Sequence, residues 1–398
     1  MESGPDATPE WALEHFDPWD KRIKYSNVWM MYQAMRREAP AIYSDAHGGF
    51  WSIVRHKDIK AAARDYRVFS SARGTSIGAR GDHTSAPPKA PLEYDPPEHT
   101  RLRKAMQTPF LPNNVKGFKE GIRSSVNELL DRISEMGSFD IVTDLAEPVP
   151  QEVLAKTLGF DEEARIKNRE LVLAVVHADF GSSDVAWKNF RSFLGEEIRK
   201  RQQKPGDDFF SHLCTDEFDG EKFSESELIS MLVALALAGH HTSINAISSL
   251  LRRMADERAR KAYLADPRLG PNMVEETLRC DPPIHLEART TTEEVVVGGA
   301  RIPADTQIAL LYASGNHDEA EFPNPEEFDF SRGTSQHLSF GHGIHSCSGM
   351  HLARLEMSIV LEETLNRFPN YALVGDQIDS GLIYGHHMGW ESIPAIIG

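Results

Sequence analysis

A ten-residue segment, FGHGIHSCSG at positions 340–349, constrains the fold of this chain more than any other part of the sequence. Its three glycines disfavour a helix and allow the backbone to turn tightly around Cys347. Positive surroundings keep a thiol ionised, and glycines let backbone N–H groups approach the sulfur closely. The segment therefore predicts a loop that presents the sulfur of Cys347, although an arbitrary cysteine is more often buried and inert.

The pattern F-G-x-G-x-H-x-C-x-G is filled at every fixed position, and in this the segment resembles the haem-binding loop of the cytochrome P-450 family. The resemblance implies that haem b is the cofactor and that Cys347 is the axial ligand of its iron. It also implies that Phe340, Gly341 and Gly349 lie against the cofactor. A cysteine thiolate donates electron density that favours O–O cleavage, which suits a monooxygenase. The implied fold is mainly α, a triangular helical prism with a small β-rich part.

The composition agrees with one large enzyme domain. The chain has 398 residues, 40% of them hydrophobic, and no segment resembles a linker. We therefore expect an N-terminal extension over residues 1–24 and a single α-rich domain over residues 25–398. The three cysteines are too few and too widely spaced for a disulfide framework or a zinc site, which favours the reducing cytoplasm. The net charge of −17 argues against nucleic acid as a partner.

The sequence gives no indication of secretion or of membrane insertion. Residues 1–10 are polar and acidic, unlike a signal peptide. No uninterrupted apolar segment approaches the roughly 18 to 20 residues that span a bilayer. Within the resembled family these features indicate the soluble bacterial type, acting in the cytoplasm without a membrane partner.

A long apolar helix is predicted to begin at a capping box formed by Ser224 and Glu227 and to continue to about Asp256. Its middle contains the segment AGHHTS at positions 238–243. The small residues leave room for a flat group beside the backbone, and the hydroxyl of Thr242 lies next to that gap.

The same segment resembles the oxygen-binding groove of the family, A-G-x-[D/E]-T, with Ala238, Gly239 and Thr242 at the matching positions. His241 replaces the acid. In the family the acid and the alcohol deliver protons for oxygen activation, so we interpret Thr242 and His241 as the catalytic pair, with the imidazole as a relay near neutral pH. Two alternatives stay open: His241 faces away from the cofactor, or it binds a polar substrate while water carries the protons.

Four residues from three separate segments match positions that bind the haem propionates in the family. By spacing alone, His99 and Arg103 would form an ordinary basic face of a helix. The resemblance assigns both to the propionates, together with Arg289 and His345. Two carboxylates enclosed in a pocket need such partners.

Glu276 and Arg279 form an E-x-x-R pair on a predicted helix. Such a pair is commonly a surface ion pair of small energetic value. The resemblance implies a buried pair that supports the fold near the haem and has no catalytic role.

Candidate substrate contacts come from a long loop at 70–95, from helices and from the segment before Arg289. They are Arg73, Arg80, Lys89, His177, His240 and Leu286, with His386 and His387 near the C-terminus. So many cationic or protonatable groups favour a small organic substrate with a carboxylate or phosphate on an aromatic ring, which the enzyme would hydroxylate or dealkylate. A neutral terpenoid, steroid or macrolide is the equally open alternative, with most of these residues facing solvent.

The sequence contains no G-x-G-x-x-G segment after a predicted strand and no sign of a flavin or iron–sulfur domain. Electrons for the reduction of dioxygen are therefore expected from a separate ferredoxin and its ferredoxin reductase. A local basic patch is predicted to dock the ferredoxin, formed by Lys104, Lys116, Lys119, Arg123 and Arg354. Two alternatives are a peroxide-driven haem-thiolate oxidase and a non-catalytic haem-based gas sensor.

Overall fold

Helices form most of the molecule, in agreement with the α-rich class predicted from the sequence. The structure, a computed structural model, describes residues 7–78, 88–176, 183–332 and 336–398. The α-helices of these residues are α1 (Pro9–His15), α2 (Tyr25–Glu38), α3 (His56–Arg64), α4 (Glu98–Met106), α5 (Pro112–Val115), α6 (Lys119–Met136), α7 (Pro148–Leu158), α8 (Glu162–Val176), α9 (Ser183–Gln203), α10 (Phe209–Thr215), α11 (Glu225–Ala238), α12 (His240–Met254), α13 (Glu257–Ala265), α14 (Gly270–Cys280), α15 (Tyr312–Asn316) and α16 (Met350–Arg367). The strands are β1 (Ala41–Ser44), β2 (Phe50–Ile53), β3 (Phe69–Ser70), β4 (Ser138–Asp140), β5 (Glu287–Thr291), β6 (Val295–Val297), β7 (Ala300–Ile302), β8 (Gln307–Leu310), β9 (Ala372–Leu373), β10 (Ile378–Asp379), β11 (Trp390–Ser392) and β12 (Pro394–Ile396).

The largest hydrophobic cluster lies between the long helices. In α6 the buried residues Ile122, Val126, Leu129 and Ile133 recur every three or four positions, so one face of the helix points to the core. In α12 buried residues occur on all sides, as expected of a helix enclosed by its neighbours. This arrangement places α12 inside the helical part of the molecule.

The strands form four small sheets. The largest has the order β1-β2-β8-β5-β3, in which β2 and β8 are parallel and the other neighbours antiparallel. A second sheet has the order β4-β12-β9, so that strands distant in sequence become neighbours. A turn at Gly298 and Gly299 joins β6 and β7 in a hairpin.

The predicted extension is packed onto the rest of the protein where the structure describes it. Ala12 on α1, Phe16 and Ile23 are buried, and they share a hydrophobic cluster with Val28 and Met31 of α2. Burial of these side chains fixes residues 7–24 against the body of the fold.

The long predicted helix is interrupted once. The capping box at Ser224 is confirmed, but the helix divides into α11 and α12 at Gly239. Together Glu225–Met254 are long and apolar enough to cross a membrane by length and composition, a test that the core helix of a soluble protein also passes. Leu228, Leu250 and other residues of the pair belong to the largest hydrophobic cluster.

Candidate active site

The cysteine loop has the tight turn that its glycines predict. The N–H group of Cys347 donates a hydrogen bond to the carbonyl oxygen of Phe340 at 2.8 Å, which closes the loop. Gly341 has a φ of 66° and Gly343 a φ of 75°, both in the left-handed region that favours glycine. A Cβ atom on Gly343 would overlap the carbonyl oxygen of Ala63 at the end of α3. Close contact with α3 therefore requires glycine at this position.

The sulfur of Cys347 lies at the N-terminal end of α16. The N–H groups of Gly349 and Met350 donate to it, and a helix N-terminus favours a negative charge. Burial raises the pKa of the Cys347 thiol, while these N–H groups and the cations Arg103 and Arg354 act in the opposite direction. The side chain of Cys347 has accessible surface area, yet protein atoms surround it on all sides. The sulfur therefore lines an interior cleft. Bonding to a metal would ionise this thiol.

Four other predicted cofactor-binding residues converge near this sulfur. The rings of His99 and His345 lie 4.5 Å apart between centroids. Burial, with Arg289, His99 and Arg103 nearby, lowers the pKa of His345 to about 2. The structure thus brings together two guanidinium groups and two imidazoles from α4, β5 and the cysteine loop.

This cluster has unused hydrogen-bonding capacity. His99 Nε2 is buried and has no partner among the described residues. Within the described part of the chain, neither Arg103 nor Arg289 forms an ion pair with a carboxylate. Buried cations need anionic partners, and the two propionates of haem b would supply them. The residues therefore fit the implied cofactor.

The break between α11 and α12 creates the second predicted feature. The Thr242 hydroxyl donates to the carbonyl oxygen of Ala238 at 2.7 Å, across Gly239. Ala238 is exposed by area although Leu235 and His240 beside it are buried, so its methyl group lines an interior space. The small residues therefore leave the backbone accessible at the centre of the protein, as predicted.

His241 points toward the C-terminal loop. Its ring centroid lies 5.7 Å from that of His387 and 5.8 Å from that of Tyr384, and the rings of His386 and His387 are 4.3 Å apart. Burial, assisted by Lys89 and His241, lowers the pKa of His386 to about 3. Burial, with His386, His241 and Lys89 nearby, also lowers the pKa of His387 well below its ordinary value. His386 and His387 are therefore neutral at pH 7, and Tyr384, 41% exposed, connects the group to the surface.

A buried carboxyl group joins α12, which carries Thr242, to α16, which begins beside the sulfur of Cys347. Glu356 on α16 accepts a hydrogen bond from the hydroxyl of Ser243 on α12. Burial raises the pKa of Glu356 to about 8 despite this bond. Glu356 could not be predicted as a site residue, because nothing in the local pattern of α16 distinguishes it from a surface glutamate.

Two further carboxyl groups lie near the predicted substrate residue Lys89 and were also missed. Glu93 accepts hydrogen bonds from the Thr75 hydroxyl at 3.2 Å and the Lys89 N–H at 2.9 Å. Burial raises the pKa of Glu287 to about 7, opposed by Arg289 and Lys89. A signal for Glu287 existed, since alternation in β5 places it on the same face as Arg289.

The predicted substrate residues are only partly brought together. Lys89 lies near His386 and His387, and its Nζ is 3.6 Å from Glu93 Oε1. His240 is buried and bonded to Gln151 Nε2 at 3.1 Å.

The other predicted substrate residues do not join this group. Arg73 is 62% exposed and pairs with Asp305. Leu286 is fully buried in a hydrophobic cluster with Ala288. Arg80 and His177 lie outside the described residues.

Glu276 and Arg279 form a fully enclosed ion pair on α14. Arg279 Nη2 lies 2.9 Å from Glu276 Oε1, with the side chains 0% and 2% exposed. Arg279 also donates to the carbonyl oxygen of Asn316 at 2.9 Å, and Glu276 accepts from Arg332 at 3.1 Å. The pair therefore ties α14 to the segments before the cysteine loop.

No group of three His, Cys, Asp or Glu side chains in the described ranges is arranged to hold a metal ion. In this part of the chain, the protein ligand available to a metal cofactor is the sulfur of Cys347 with its surrounding cations. A single ligand suits a metal that brings its own additional ligands.

Comparison with protein families and curated proteins gives a consistent result. A family model described as Cytochrome P-450 matches residues 268–377. The chain is 32% identical to cyclomarin C epoxidase CymV of Salinispora arenicola over 354 residues, 86% of this chain and 89% of the relative. It is 33% identical to nocardicin C N-oxygenase of Nocardia uniformis subsp. tsuyamanensis over 353 residues, 86% and 88% of the two chains.

Solved structures share the architecture over nearly the whole length. The cytochrome P-450 PksS of the bacillaene polyketide synthase from Bacillus subtilis 168 aligns with a TM-score of 0.86 and 29% identity. The alignment covers 96% of this chain and 100% of that one.

Proposed function

Because this chain belongs to the cytochrome P-450 family of haem b monooxygenases, we propose that it hydroxylates or dealkylates a small organic substrate at the site built around Cys347 and Thr242. The observation that carries the proposal is the sulfur of Cys347, which accepts two backbone N–H groups and lies near the positive charge of Arg103. Such surroundings stabilise the thiolate that the cofactor requires. Residues 25–398 act as one catalytic domain.

Haem b is held by Cys347 as the iron ligand and by Arg103, Arg289, His99 and His345 as partners of its propionates. The cofactor supplies the iron at which dioxygen is reduced and one oxygen atom is transferred to substrate. Phe340, whose ring is stacked by Arg354 at 4.5 Å, shields the sulfur side. Exclusion of water there keeps the thiolate interaction strong.

We assign proton transfer during oxygen activation to Thr242 and His241. The Thr242 hydroxyl is held by the Ala238 carbonyl oxygen and exposes its oxygen lone pairs as an acceptor. His241 takes the place of the family's carboxylate and passes a proton toward Thr242. Contact of His241 with Tyr384, which reaches the surface, supports a route from solvent through the C-terminal loop.

The substrate carries one polar or anionic group that faces His386, His387 and Lys89. Both imidazoles are neutral at pH 7 and can donate N–H groups, and His387 Nδ1 is buried with no partner among the described residues. Lys89 is already balanced by Glu93, which limits the net positive charge. A monoanionic aromatic therefore suits the region better than a dianion.

A ferredoxin, itself reduced by a ferredoxin reductase, delivers the electrons. Of the predicted basic patch, Lys116 and Lys119 are exposed and keep their charge available. Lys104 pairs with Asp219, Arg123 with Glu362 and Glu363, and Arg354 is held by Glu275 at 2.6 Å. Docking therefore depends mainly on the two lysines. The three cysteines are free, which supports action in the reducing cytoplasm.

The spectrum of the reduced, carbon monoxide-bound protein tests the haem-thiolate site. A Soret band typical of thiolate ligation is expected, and its loss in Cys347→His would assign the ligand. Absence of that band in the unaltered protein would overturn the proposal.

Proton handling is tested once a spectral titration of charged and neutral aromatics has identified a ligand. We expect His241→Ala to lower the product formed per NAD(P)H and to change its pH profile, whereas His212→Ala at the surface leaves both unchanged. Unchanged coupling and pH profile in His241→Ala would exclude the relay.

A peroxide-driven oxidase is the second candidate, favoured by the absence of a carboxyl group at position 241. Its test replaces ferredoxin, reductase and NAD(P)H by hydrogen peroxide. Turnover with peroxide but not with any ferredoxin system would establish it.

A further inference from the structure

An arginine-lined cavity opens where α12 ends, in a part of the molecule that the monooxygenase reaction does not use. Its volume is about 580 Å³, and it is lined by Arg252, Arg253, Ala255, Asp256, Arg258, Arg260, Phe328, Ala372, Leu373 and Gln377. We propose that this cavity, the arginine pocket, binds a small phosphorylated anion that carries more than one negative charge.

Three of the four guanidinium groups lack an acidic partner in the described part of the chain. Arg252 Nε donates to Gln377 Oε1 at 2.7 Å, Arg258 to the carbonyl oxygen of Phe328 at 2.7 Å, and Arg260 to that of Ala255 at 2.8 Å. Each acceptor is neutral, and each guanidinium has five N–H donors. Most of the donors of these three groups therefore stay available.

Acidic residues in and beside the pocket neutralise only part of this charge. Arg253 is held by Asp281, with Nε 2.6 Å from Oδ2 and Nη2 2.8 Å from Oδ1. The side chain of Asp256 accepts the N–H of Ala259 as the cap of α13. Glu257 lies close enough to act on Arg260, and Asp329 on Arg258, but neither forms an ion pair with them among the described residues. Three guanidinium groups without an ion pair are thus concentrated in a protein whose net charge is −17.

The fold holds these like charges together by fixing their surroundings. Arg252 lies over the ring of Trp390 at 4.4 Å, Arg253 over Phe328 at 5.4 Å, and Arg258 over Phe330 at 5.3 Å. Burial and the neighbouring Arg253 lower the pKa of Arg252 to about 10. An anion in the pocket would relieve this repulsion.

Phosphate is the group that matches the donors. Planar guanidinium groups bind phosphate oxygens with paired, parallel hydrogen bonds, and several converging arginines prefer a ligand with several anionic oxygens. The cavity is large enough for two linked phosphate groups with their water. Arg103 and Arg289 provide the precedent within this chain, since they too form no ion pair with a carboxylate of the described residues and fit the two carboxylates of haem.

Calorimetric titration of the haem-loaded protein with inorganic pyrophosphate, at constant ionic strength, tests the proposal. One pyrophosphate is expected per chain, and Arg258→Gln/Arg260→Gln should weaken binding at least tenfold. Arg191→Gln is the matched control, because Arg191 is not a lining residue of the arginine pocket. It stacks on Trp187 and also lacks a carboxylate partner in the described ranges. Its affinity should equal that of the unaltered protein.

Gln377→Glu provides a variant that removes no arginine. The new carboxylate would stand at the oxygen that now accepts from Arg252, so the fold is retained while the pocket loses net charge. Weaker binding of pyrophosphate in this variant is expected. No saturable heat with the unaltered protein, equal binding in both pocket variants, or equal binding of chloride would overturn the proposal.

Discussion

Replacement of Arg279 by methionine is expected to destabilise the protein strongly, because the Glu276 carboxylate would stay enclosed. The pair is 2.9 Å apart, and the two side chains are 0% and 2% exposed. Removal of one partner of a buried ion pair costs about 3 to 5 kcal/mol. Arg332 would still contact Glu276 at 3.1 Å, which favours the lower end of that range.

A loss of about 3 kcal/mol lowers the ratio of folded to unfolded protein on the order of 100-fold. With a urea dependence of about 3 kcal/mol per molar, the unfolding midpoint should fall by about 1 M. Unfolding of the haem-loaded protein is followed by far-UV circular dichroism and by Soret absorbance, whose transitions must coincide for the free energy to be defined.

Arg199→Met is the matched control for this experiment. Arg199 also lies 2.9 Å from a glutamate, Glu225, but both side chains are 51% exposed. Exposed ion pairs contribute about 0.2 to 1 kcal/mol to the free energy of unfolding. The comparison therefore varies burial at constant distance, and equal midpoint shifts in the two variants would refute the reasoning.

Three further outcomes are expected. Gly343→Ala should lower the free energy of unfolding by more than about 2 kcal/mol and reduce haem loading. The control Gly375→Ala, at φ 63° in open space, should lower it by only about 1 kcal/mol through backbone strain. Equal losses in thermal unfolding would contradict the overlap with Ala63. Burial lowers the pKa of His285 to about 3. Between about pH 6.5 and that value, the imidazole is protonated in the unfolded chain but not in the folded one. The free energy of unfolding therefore falls by up to about 1.4 kcal/mol per pH unit on acidification. His285→Gln should flatten that slope in urea titrations between about pH 6.5 and 5, while His212, whose pKa is raised by Asp207, should show the opposite sign. Reduction by a ferredoxin should slow with rising ionic strength and in Lys116→Glu/Lys119→Glu, measured by stopped flow; rates that do not change would place docking elsewhere.

Local patterns predicted much of the site. Ser224 and Glu227 form the expected cap because both partners lie within one helical turn. The cysteine loop depends on glycines that it contains itself, so its turn can also be inferred from sequence. The motif of Glu276 and Arg279 indicated a close pair, but only the resemblance to a family indicated that the pair would be buried.

Features that depend on distant contacts could not be predicted. Arg73 has the charge expected of a substrate contact, yet it pairs with Asp305, more than two hundred positions away. Glu356 and Glu287 became part of the site only when other elements enclosed them. The interruption at Gly239 was missed because one glycine in an apolar helix is often tolerated. Long-range packing decides each of these cases, and no local spacing records it.

The sheet of β4, β12 and β9 sets a condition on synthesis. The N–H group of Ile393, next to β12, donates to Asp140 of β4 at 3.0 Å, across 253 positions of the chain. At about 5 to 20 residues per second, a ribosome needs roughly 10 to 50 s to add that length. During this time β4 has no β12 beside it, and the sheet cannot form. Nascent α6 and β4 must therefore wait in a partly folded state, where chaperones have access to them.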